Sequence, residues 1–391
     1  MNTFIQELQR RTPLGWLQLS HHKSRLLVAL SGIAFADVLM FMQLGFQNAL
    51  YDSNTRLNRA VLADIVLISP QSRNMQNLAT FSRRRLLQAE DVQGVKSAQA
   101  MYIGLITWKN PQTRRKTSVQ AIGFNPEQPV LNIPEVNNQL DKIKLPDNFV
   151  FDRAARGEYN EVFSQIDAGQ TVTTEVDKRT ISISGTFKLG ASFGADGTLV
   201  SSDENFLRLF PRRQPGSISL GLVNIQPGYE PEQVAQALKS HLPEDVKVLT
   251  RAEYIKFEED YWKKESPIGF IFSLGVSMGF MVGVIIVYQV LSTDVNAHIK
   301  EYATFKAMGY GNSYLLGVIF EEALILAVLG FIPGFIVPLG LYQLAANATN
   351  LPIYMTAVRG LIVLLLTLLM CTLSGTIATR KLQSADPADM F

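Results

Sequence analysis

The chain has 391 residues, of which 47% are hydrophobic and 18% are charged, and its formal net charge is +2. The charged fraction is below the roughly 25% that is usual for soluble domains, so part of this chain is predicted to lie in a membrane. The near-neutral balance excludes a strongly basic nucleic-acid-binding domain, and we expect no nucleic-acid partner. The single cysteine, Cys371, excludes an intramolecular disulfide and a cysteine-rich metal site.

Four apolar runs are long enough to cross a bilayer. A helix needs about 20 mostly apolar residues to span the hydrocarbon core. The first run predicts a transmembrane helix at 26–50, and the second lies in a segment, 251–291, that combines a stalk with a span. The third and fourth spans are predicted at 315–341 and 361–378. The pattern predicts a four-helix membrane protein.

The charges beside these runs predict the orientation of the chain. Short cytoplasmic segments carry an excess of Lys and Arg, whereas long domains translocate whatever their charge. Basic residues precede the first run, lie between the second and third, and follow the fourth, which makes 1–25, the loop 292–314 and the tail 379–391 cytoplasmic. Both termini are then inside, and the long segment 51–250 and the short loop 342–360 face outside.

The long outer segment is predicted to be an α+β domain inserted between the first and second spans. Short β-branched runs bounded by turn residues, and alternating runs, are typical of strands. Predicted strands lie at 63–70, 98–108, 117–122, 220–225 and 246–249, with a hairpin at 170–189. Helices are predicted at 83–91 and 231–240, and the Pro/Asn-rich stretch 132–147 is predicted to be a loop. The charged stretch 251–265 is predicted to continue into the second span as one long helix, irregular at Pro267.

No enzyme motif is present in the sequence. There is no G-x-x-x-x-G-K-[ST] loop to hold nucleotide phosphates, no H-E-x-x-H zinc motif and no G-x-S-x-G nucleophile turn. The Gly-rich stretch at 190–198 is interpreted as a turn between strands. The chain is therefore predicted not to be an enzyme and to bind no metal or cofactor itself.

Small residues mark a predicted helix-packing seam. Gly275, Gly279 and Gly283 recur every four residues in the second span, and Gly32 and Ala36 have the same spacing in the first. Small residues on one face allow another helix backbone to approach closely. The seam could lie within one chain or between two, and the alternative is the general enrichment of glycine in transmembrane helices.

Three acidic residues lie inside predicted spans. Asp37 is near the middle of the first span, where an acid costs about 2.5–3.5 kcal/mol and should face protein or water. It is interpreted as a substrate-path or partner-contacting residue, as a hydrogen-bonding partner of a neighbouring helix, or as an acid that a shift of the helix carries nearer the outer surface. Glu321 and Glu322 are nearer the cytoplasmic side of the third span. Farther along the same span, Pro333 and Pro338 predict kinks in the helix.

The cytoplasmic loop has an amphipathic pattern. Apolar residues recur at steps of four, three and three, which predicts one stripe along a short helix made by Val295, Ile299, Tyr302 and Phe305. The charged residues lie off this stripe, and Gly309 supplies a helix stop. Such a stripe is typical of a helix that binds a partner groove or the lipid interface. The alternative is a connecting helix that rests on the membrane.

This loop resembles a known family. The segment HIKEYATFKAMGYGNSYL, 298–315, is similar to the coupling segment of the FtsX-like permeases of ABC transporters, which include the MacB-type exporters. The ending RKLQSADPADMF, 380–391, resembles the ending of that family. The N-terminal region and the segment GTLVSSDENFLRLF, 197–210, further resemble permeases of cyanobacterial DevBCA-type glycolipid exporters, that is, DevC.

The resemblance implies a mechanism. The outer domain would have a MacB-like Porter/Sabre arrangement. The chain would form a homodimer in the inner membrane that carries ATP-driven motion to this domain. ATP and Mg would be bound by a separate, DevA-like ABC ATPase subunit. The cargo would be a lipid, a glycolipid or another hydrophobic molecule, passed to a DevB-like periplasmic adaptor and a TolC-like outer-membrane duct. The residues that would couple to the ATPase are Ile299, Lys300, Glu301, Tyr302, Ala303, Thr304, Phe305, Lys306, Ala307, Met308 and Gly309.

Two alternatives remain beside the exporter. One is an FtsX-type signal relay that transports nothing and activates an envelope enzyme; the length of the outer segment favours the exporter, because relays typically have a smaller outer domain. The other is a sensor or scaffold without an ATPase, which would leave the apolar stripe unexplained.

Overall fold

The structure is a computed structural model that describes Gly15, residues 23–176 and residues 179–383. The chain forms two compact units. The helical unit comprises 1–48, 270–345 and 353–391, and the α+β domain comprises 49–269 and 346–352. The segment 346–352, which joins the end of one long apolar helix to the connection that follows it, therefore belongs to the α+β domain.

The elements alternate between helices and strands only in the α+β domain. The helices are α1 (Lys23–Ala60), α2 (Arg84–Glu90), α3 (Pro134–Asn137), α4 (Leu140–Lys144), α5 (Asn160–Asp167), α6 (Asp203–Leu209), α7 (Pro231–His241), α8 (Arg251–Asp260), α9 (Pro267–Ala297), α10 (Ile299–Ala307), α11 (Asn312–Thr349) and α12 (Ala357–Gln383). The strands are β1 (Ile65–Ile68), β2 (Phe81–Ser82), β3 (Val95–Lys109), β4 (Lys116–Phe124), β5 (Asn148–Asp152), β6 (Val172–Val176), β7 (Arg179–Phe187), β8 (Thr198–Ser202), β9 (Ser217–Ile218), β10 (Leu220–Ile225) and β11 (Lys247–Thr250).

Four of the described helices are long and apolar enough to cross a membrane. The qualifying stretches are Lys23–Ala60, Pro267–Ala297, Leu316–Thr349 and Ala357–Thr379. The predicted fold class, four membrane helices with an α+β domain between the first and second, is confirmed. Helix α11 continues through Pro333 and Pro338, so neither proline ends it.

The predicted single helix from the stalk into the second span is wrong. Helix α8 begins at a capping box made by Thr250 and Glu253 and ends at Asp260. A π-helical turn, Tyr261–Glu265, follows it, and Ser266 then has extended dihedral angles before α9 begins. Steric conflict with a following proline disfavours helical geometry at the preceding residue, whereas proline suits the first turn of a new helix. Pro267 therefore begins a helix instead of bending one.

The described strands form one nine-stranded sheet and a two-stranded ribbon of β2 and β9. The order of the large sheet is β11-β1-β10-β3-β4-β8-β5-β7-β6. Strand β1 lies between β10 and β11 and runs antiparallel to both, so the predicted strand–helix–strand ending forms a split β-α-β unit. Trp108 of β3 also pairs with Val176 of β6, which closes strands β3, β4, β8, β5, β7 and β6 into a ring.

Two hydrophobic cores lie on opposite faces of this sheet. Successive side chains along β3 enter different cores: Tyr102 and Trp108 enter one, and Met101 and Ile103 enter the other. This alternation follows from the pleat of a strand. The stretch 132–147, predicted to be a loop, instead contains α3 and α4, which bury Val136 and Ile143 in the second core.

Candidate coupling site

Helix α10 follows α9 after a single residue. The carbonyl of His298 accepts hydrogen bonds from the backbone N–H groups of Glu301 and Tyr302, which starts the helix. At its other end Gly309 has a φ of +95°, a left-handed conformation that glycine adopts at little cost. The backbone N–H of Tyr310 donates to the carbonyl of Phe305 at 3.0 Å, so the chain turns sharply toward α11.

The apolar stripe of α10 faces the interior of the helical unit. Tyr302 and Val295 are 2% and 1% exposed, and both pack against the fully buried Ile319 of α11. Phe305 and Tyr314 are partly buried around this cluster. Ile299 is half-buried and Ala303 is buried. The interpretation of this stripe as a partner-binding surface needs correction, because residues of the same chain already cover its centre.

The opposite face of α10 is exposed. Lys300, Glu301 and Thr304 are exposed, and Met308 is 60% exposed near the end of the helix. The side chains of Lys306 and Ala307 lie outside the described part of the chain. The exposed surface therefore combines both signs of charge with one large apolar side chain.

Three aromatic rings hold the turn after α10. The rings of Phe305 and Tyr310 meet edge to face with centroids 5.6 Å apart, and those of Tyr310 and Tyr314 lie 4.8 Å apart. Such pairs add roughly 0.5–1.5 kcal/mol each beyond the burial of their area. They hold the turn at Gly309 against the start of α11.

The seam residues meet within the chain. A Cβ placed on Gly279 would lie 3.1 Å from the Cγ of Met40, and one on Gly283 would lie 3.0 Å from the Cβ of Ala36. Gly275 faces Gln43 in the same way, and Gly32 faces Ile286. These contacts join α1 to α9 within one chain, which is the within-chain alternative, and Gly283 also meets the sulfur of Met370 in α12. The sequence pattern missed further close approaches on α11, among them Gly330 on Ile33.

Asp37 is fully buried among the helices. Its Oδ1 accepts a hydrogen bond from the Thr367 hydroxyl of α12 at 2.6 Å. A Cβ on Gly334 of α11 would lie 2.8 Å from Oδ2, which has no hydrogen-bond partner among the described residues. The contact to Thr367 is the interhelical hydrogen bond that the sequence interpretation gave as one of two alternatives.

Glu322 faces a second carboxylate that sequence reasoning missed. It is fully buried, its interaction partner is Asp294 of α9, and a Cβ on Gly15 would lie 3.0 Å from its Cγ. Within the described residues neither carboxylate oxygen of Glu322 has a hydrogen-bond donor. The Nδ1 of His298 lies 3.5 Å from Oδ2 of Asp294. Glu321, the neighbouring acid, is half-buried.

The α+β domain contains a buried acid in α8. The Oε1 of Glu258 accepts a hydrogen bond from Nε1 of Trp262 at 2.8 Å, and its Oε2 accepts one from the backbone N–H of Met75, also at 2.8 Å. Burial raises the pKa of Glu258 to about 7, although both hydrogen bonds act in the opposite direction. The sequence pattern concealed this residue, because it stands in a run of charged residues.

A second contact that the sequence analysis missed involves the segment 346–352, which contains the C-terminal end of α11. The guanidinium of Arg156 donates from Nε to the carbonyl of Thr349 at 2.8 Å, and from Nη1 to Oδ1 of Asp196 at 3.0 Å. Nδ2 of Asn350 donates to the carbonyl of Ala155 at 3.1 Å. Asn350 has a φ of +53°, as is common just after a helix end. These bonds join the end of α11 and the residue after it to the rest of the α+β domain.

One protein-family model matches the C-terminal part of the chain. Residues 273–387 match the family described as FtsX-like permease C-terminal. This segment contains most of α9 and all of α10, α11 and α12. No curated protein matches the chain. Among the described residues, no group of three His, Cys, Asp or Glu side chains is placed to hold a metal ion.

Two solved structures are similar to part of the chain. One is the periplasmic region of MacB from Actinobacillus actinomycetemcomitans, at 13% identity and a TM-score of 0.33, covering 49% of this chain and 91% of that one. The other is the extracellular domain of the noncanonic ABC-type transporter YknZ from Gram-positive bacteria, at 13% identity and a TM-score of 0.30, covering 48% of this chain and 99% of that one. Similarity at this level carries no argument about function. Neither of them supports the narrower resemblance to DevC.

Proposed function

We propose that the chain is the permease subunit of an ATP-driven export system, and that a separate ABC ATPase subunit binds the exposed face of α10. The observation that carries the proposal is the FtsX-like family match over 273–387, which includes a short helix between the second and third spans. ATP and Mg would be bound by the ATPase, and this chain would perform no chemistry. Two copies of the chain would work as a homodimer in the inner membrane, with both termini in the cytoplasm and the α+β domain in the periplasm.

The two faces of α10 support separate roles in packing within the chain and in binding the ATPase. Its inner face packs through Tyr302 on Ile319, so a displacement of α10 acts directly on α11. Its outer face offers Lys300, Glu301 and Met308 to a partner. An exposed apolar side chain that a partner can bury, with polar groups around it, is the usual composition of a small binding surface. We therefore assign partner binding to the outer face and force transfer to the inner face.

The finer part of the proposal concerns export. Motion of the α+β domain would drive a lipid, a glycolipid or another hydrophobic cargo into a periplasmic adaptor and a TolC-like duct, without passage through the helical unit. The fully buried interhelical contact of Asp37 with Thr367 is compatible with a packed bundle. The cargo and the adaptor rest on the family resemblance.

The test is co-purification of the full chain from its native membrane in a mild detergent. The variant Met308→Asp places a charge on the outer face of α10, and we expect it to lose an ABC ATPase that the parent retains. Leu145→Asp is the matched control, because Leu145 is 57% exposed and belongs to the α+β domain. It should retain the ATPase. Tyr302 is left unchanged, since its replacement would disturb the fold.

The outcomes separate the candidate functions. An ATPase that is present with the parent and the control, and absent with Met308→Asp, supports the permease. An adaptor in the same sample supports export, whereas an envelope hydrolase in its place supports the signal relay. An ATPase recovered in equal amounts with all three chains would refute the assignment of the outer face. Its absence from all three, under conditions that preserve a control transporter, would refute the permease.

A further inference from the structure

The α+β domain contains a half-open cavity of about 490 Å³. This volume is in the range of small-molecule sites, about 300–1,000 Å³. Its walls include α2 along its whole length, the first half of β3 and the start of α6. The lining residues used in the argument are Arg83, Arg84, Leu87, Glu90, Asn125 and Asp203.

The acidic groups of this cavity already have donors. Oε1 of Glu90 accepts a hydrogen bond from the backbone N–H of Ala98 at 3.0 Å, and Oδ1 of Asp203 accepts one from the backbone N–H of Glu204 at 3.1 Å. The hydroxyl of Ser82, also on the wall, accepts from the backbone N–H of Arg84 at 3.3 Å. The acceptors of the cavity are thus partly satisfied by the protein itself.

The hydrogen-bond donors that line the cavity differ in whether they already have partners within the protein. The positive charge of Arg83 lies near the hydroxyl of Tyr102, which donates a hydrogen bond to the carbonyl of Pro215 at 2.6 Å. Within residues 23–176 and 179–383, the Arg84 guanidinium makes no hydrogen bond or ion pair, and neither does the Asn125 side-chain amide nitrogen. The cavity therefore offers a free cation and a free amide donor, which a ligand would match with anionic oxygen atoms.

An apolar surface lies beside these donors. Leu87 is 65% exposed, one helical turn from Arg84, and Leu86, Ala98 and Ala100 also line the cavity. An exposed leucine beside a free arginine suits a ligand with an anionic group and a hydrocarbon part.

We propose that this cavity binds anionic amphiphiles, with the acidic headgroup on Arg84 and Asn125 and the hydrocarbon against Leu87. The assignment of such a molecule as cargo rests on the proposed function. Binding itself requires neither an ATPase nor an adaptor.

The experiment titrates hexyl phosphate into the purified full chain in a neutral maltoside detergent, followed by ³¹P NMR with empty micelles as the blank. We expect saturable binding by the parent, and binding weakened about tenfold or more by Arg84→Ala, since a hydrogen bond to a charged group is lost. Arg115→Ala is the matched control, because Arg115 is an exposed arginine in the turn between β3 and β4. It should leave binding unchanged.

Two further arms identify which part of the ligand is recognised. Inorganic phosphate should bind more weakly than hexyl phosphate, and Leu87→Ser should reduce the difference between them. Equal binding of both phosphates would show a simple anion site and overturn the amphiphile assignment. Signals no different from empty micelles, or an unchanged affinity in Arg84→Ala, would overturn the site.

These results are independent of the co-purification test. A chain that binds hexyl phosphate but recovers no ATPase would support the site and refute the permease. A chain that recovers the ATPase but fails to bind would do the reverse.

Discussion

The buried carboxyl of Glu258 predicts that the contact between α8 and the loop around Met75 weakens as pH rises. The pKa of this group is about 7 in the folded chain, against an ordinary value of 4.5. Below pH 4.5 the carboxyl is neutral in both the closed and the open loop. Between these two values the closed form retains a proton that the open form has released, so the closed form loses stability as pH rises. Above pH 7 the loss is complete.

The magnitude follows from the same two values. One pH unit corresponds to about 1.4 kcal/mol, so ionisation of Glu258 removes about 3 kcal/mol from the closed contact. The groups that face the carboxyl are the Trp262 indole, the Met75 backbone N–H, and Tyr254, whose hydroxyl contacts the Met75 sulfur at 3.5 Å. None of these groups is a cation that could offset the cost.

The assay is hydrogen exchange of residues 70–79 in the full chain at about pH 5 and pH 8, corrected for the intrinsic exchange rate. The parent should open more readily at the higher pH, whereas Glu258→Gln should show almost no such change. Glu259→Gln is the matched control on the same helix, because its side chain is partly exposed and forms ion pairs with Arg59 and Lys263. It should behave as the parent does. Equal pH dependence in the parent and Glu258→Gln, or a tighter loop at the higher pH, would refute the reasoning.

Two further predictions concern packing. Gly283→Leu should destabilise the helical unit by about 1–3 kcal/mol, seen as a lower melting temperature, because the leucine side chain would overlap neighbouring helices. Gly340→Leu, at a glycine with no neighbouring atom within 4 Å, should leave the melting temperature unchanged. Equal losses in the two variants would contradict the close contact at Gly283. Arg156→Ala should increase hydrogen exchange in 346–352 about tenfold or more, since it removes the hydrogen bond to the Thr349 carbonyl. Arg153→Ala, which loses an ion pair elsewhere, should leave this exchange unchanged. Unchanged exchange in Arg156→Ala would contradict the role of Arg156.

Local patterns predicted much of the fold. The four long helices follow from the length and composition of the apolar runs, which depend on no distant residue. The ending β10–α7–β11 follows from alternation and a helical period in adjacent segments. Closure of the sheet could not be predicted, because it depends on one pair, Trp108 with Val176, between strands far apart in sequence.

The short helix α10 was predicted in position, but the side of it that is buried was not predicted. Periodicity places Tyr302 and Phe305 on one side of α10, but it cannot say what covers that side. The answer depends on Ile319, which belongs to a different helix. The membership of 346–352 in the α+β domain was hidden for the same reason, since Arg156 is distant in sequence.

The orientation of α10 has a mechanical consequence within the helical unit. Close-packed side chains transmit displacement because the interior has few voids into which they can move. Tyr302 is packed between Val295 of α9 and Ile319 of α11, so a shift of α10 cannot leave both neighbours in place. Under the proposed function, the buried stripe would therefore transmit a displacement of α10 to α11, and the exposed residues of α10 would bind the partner.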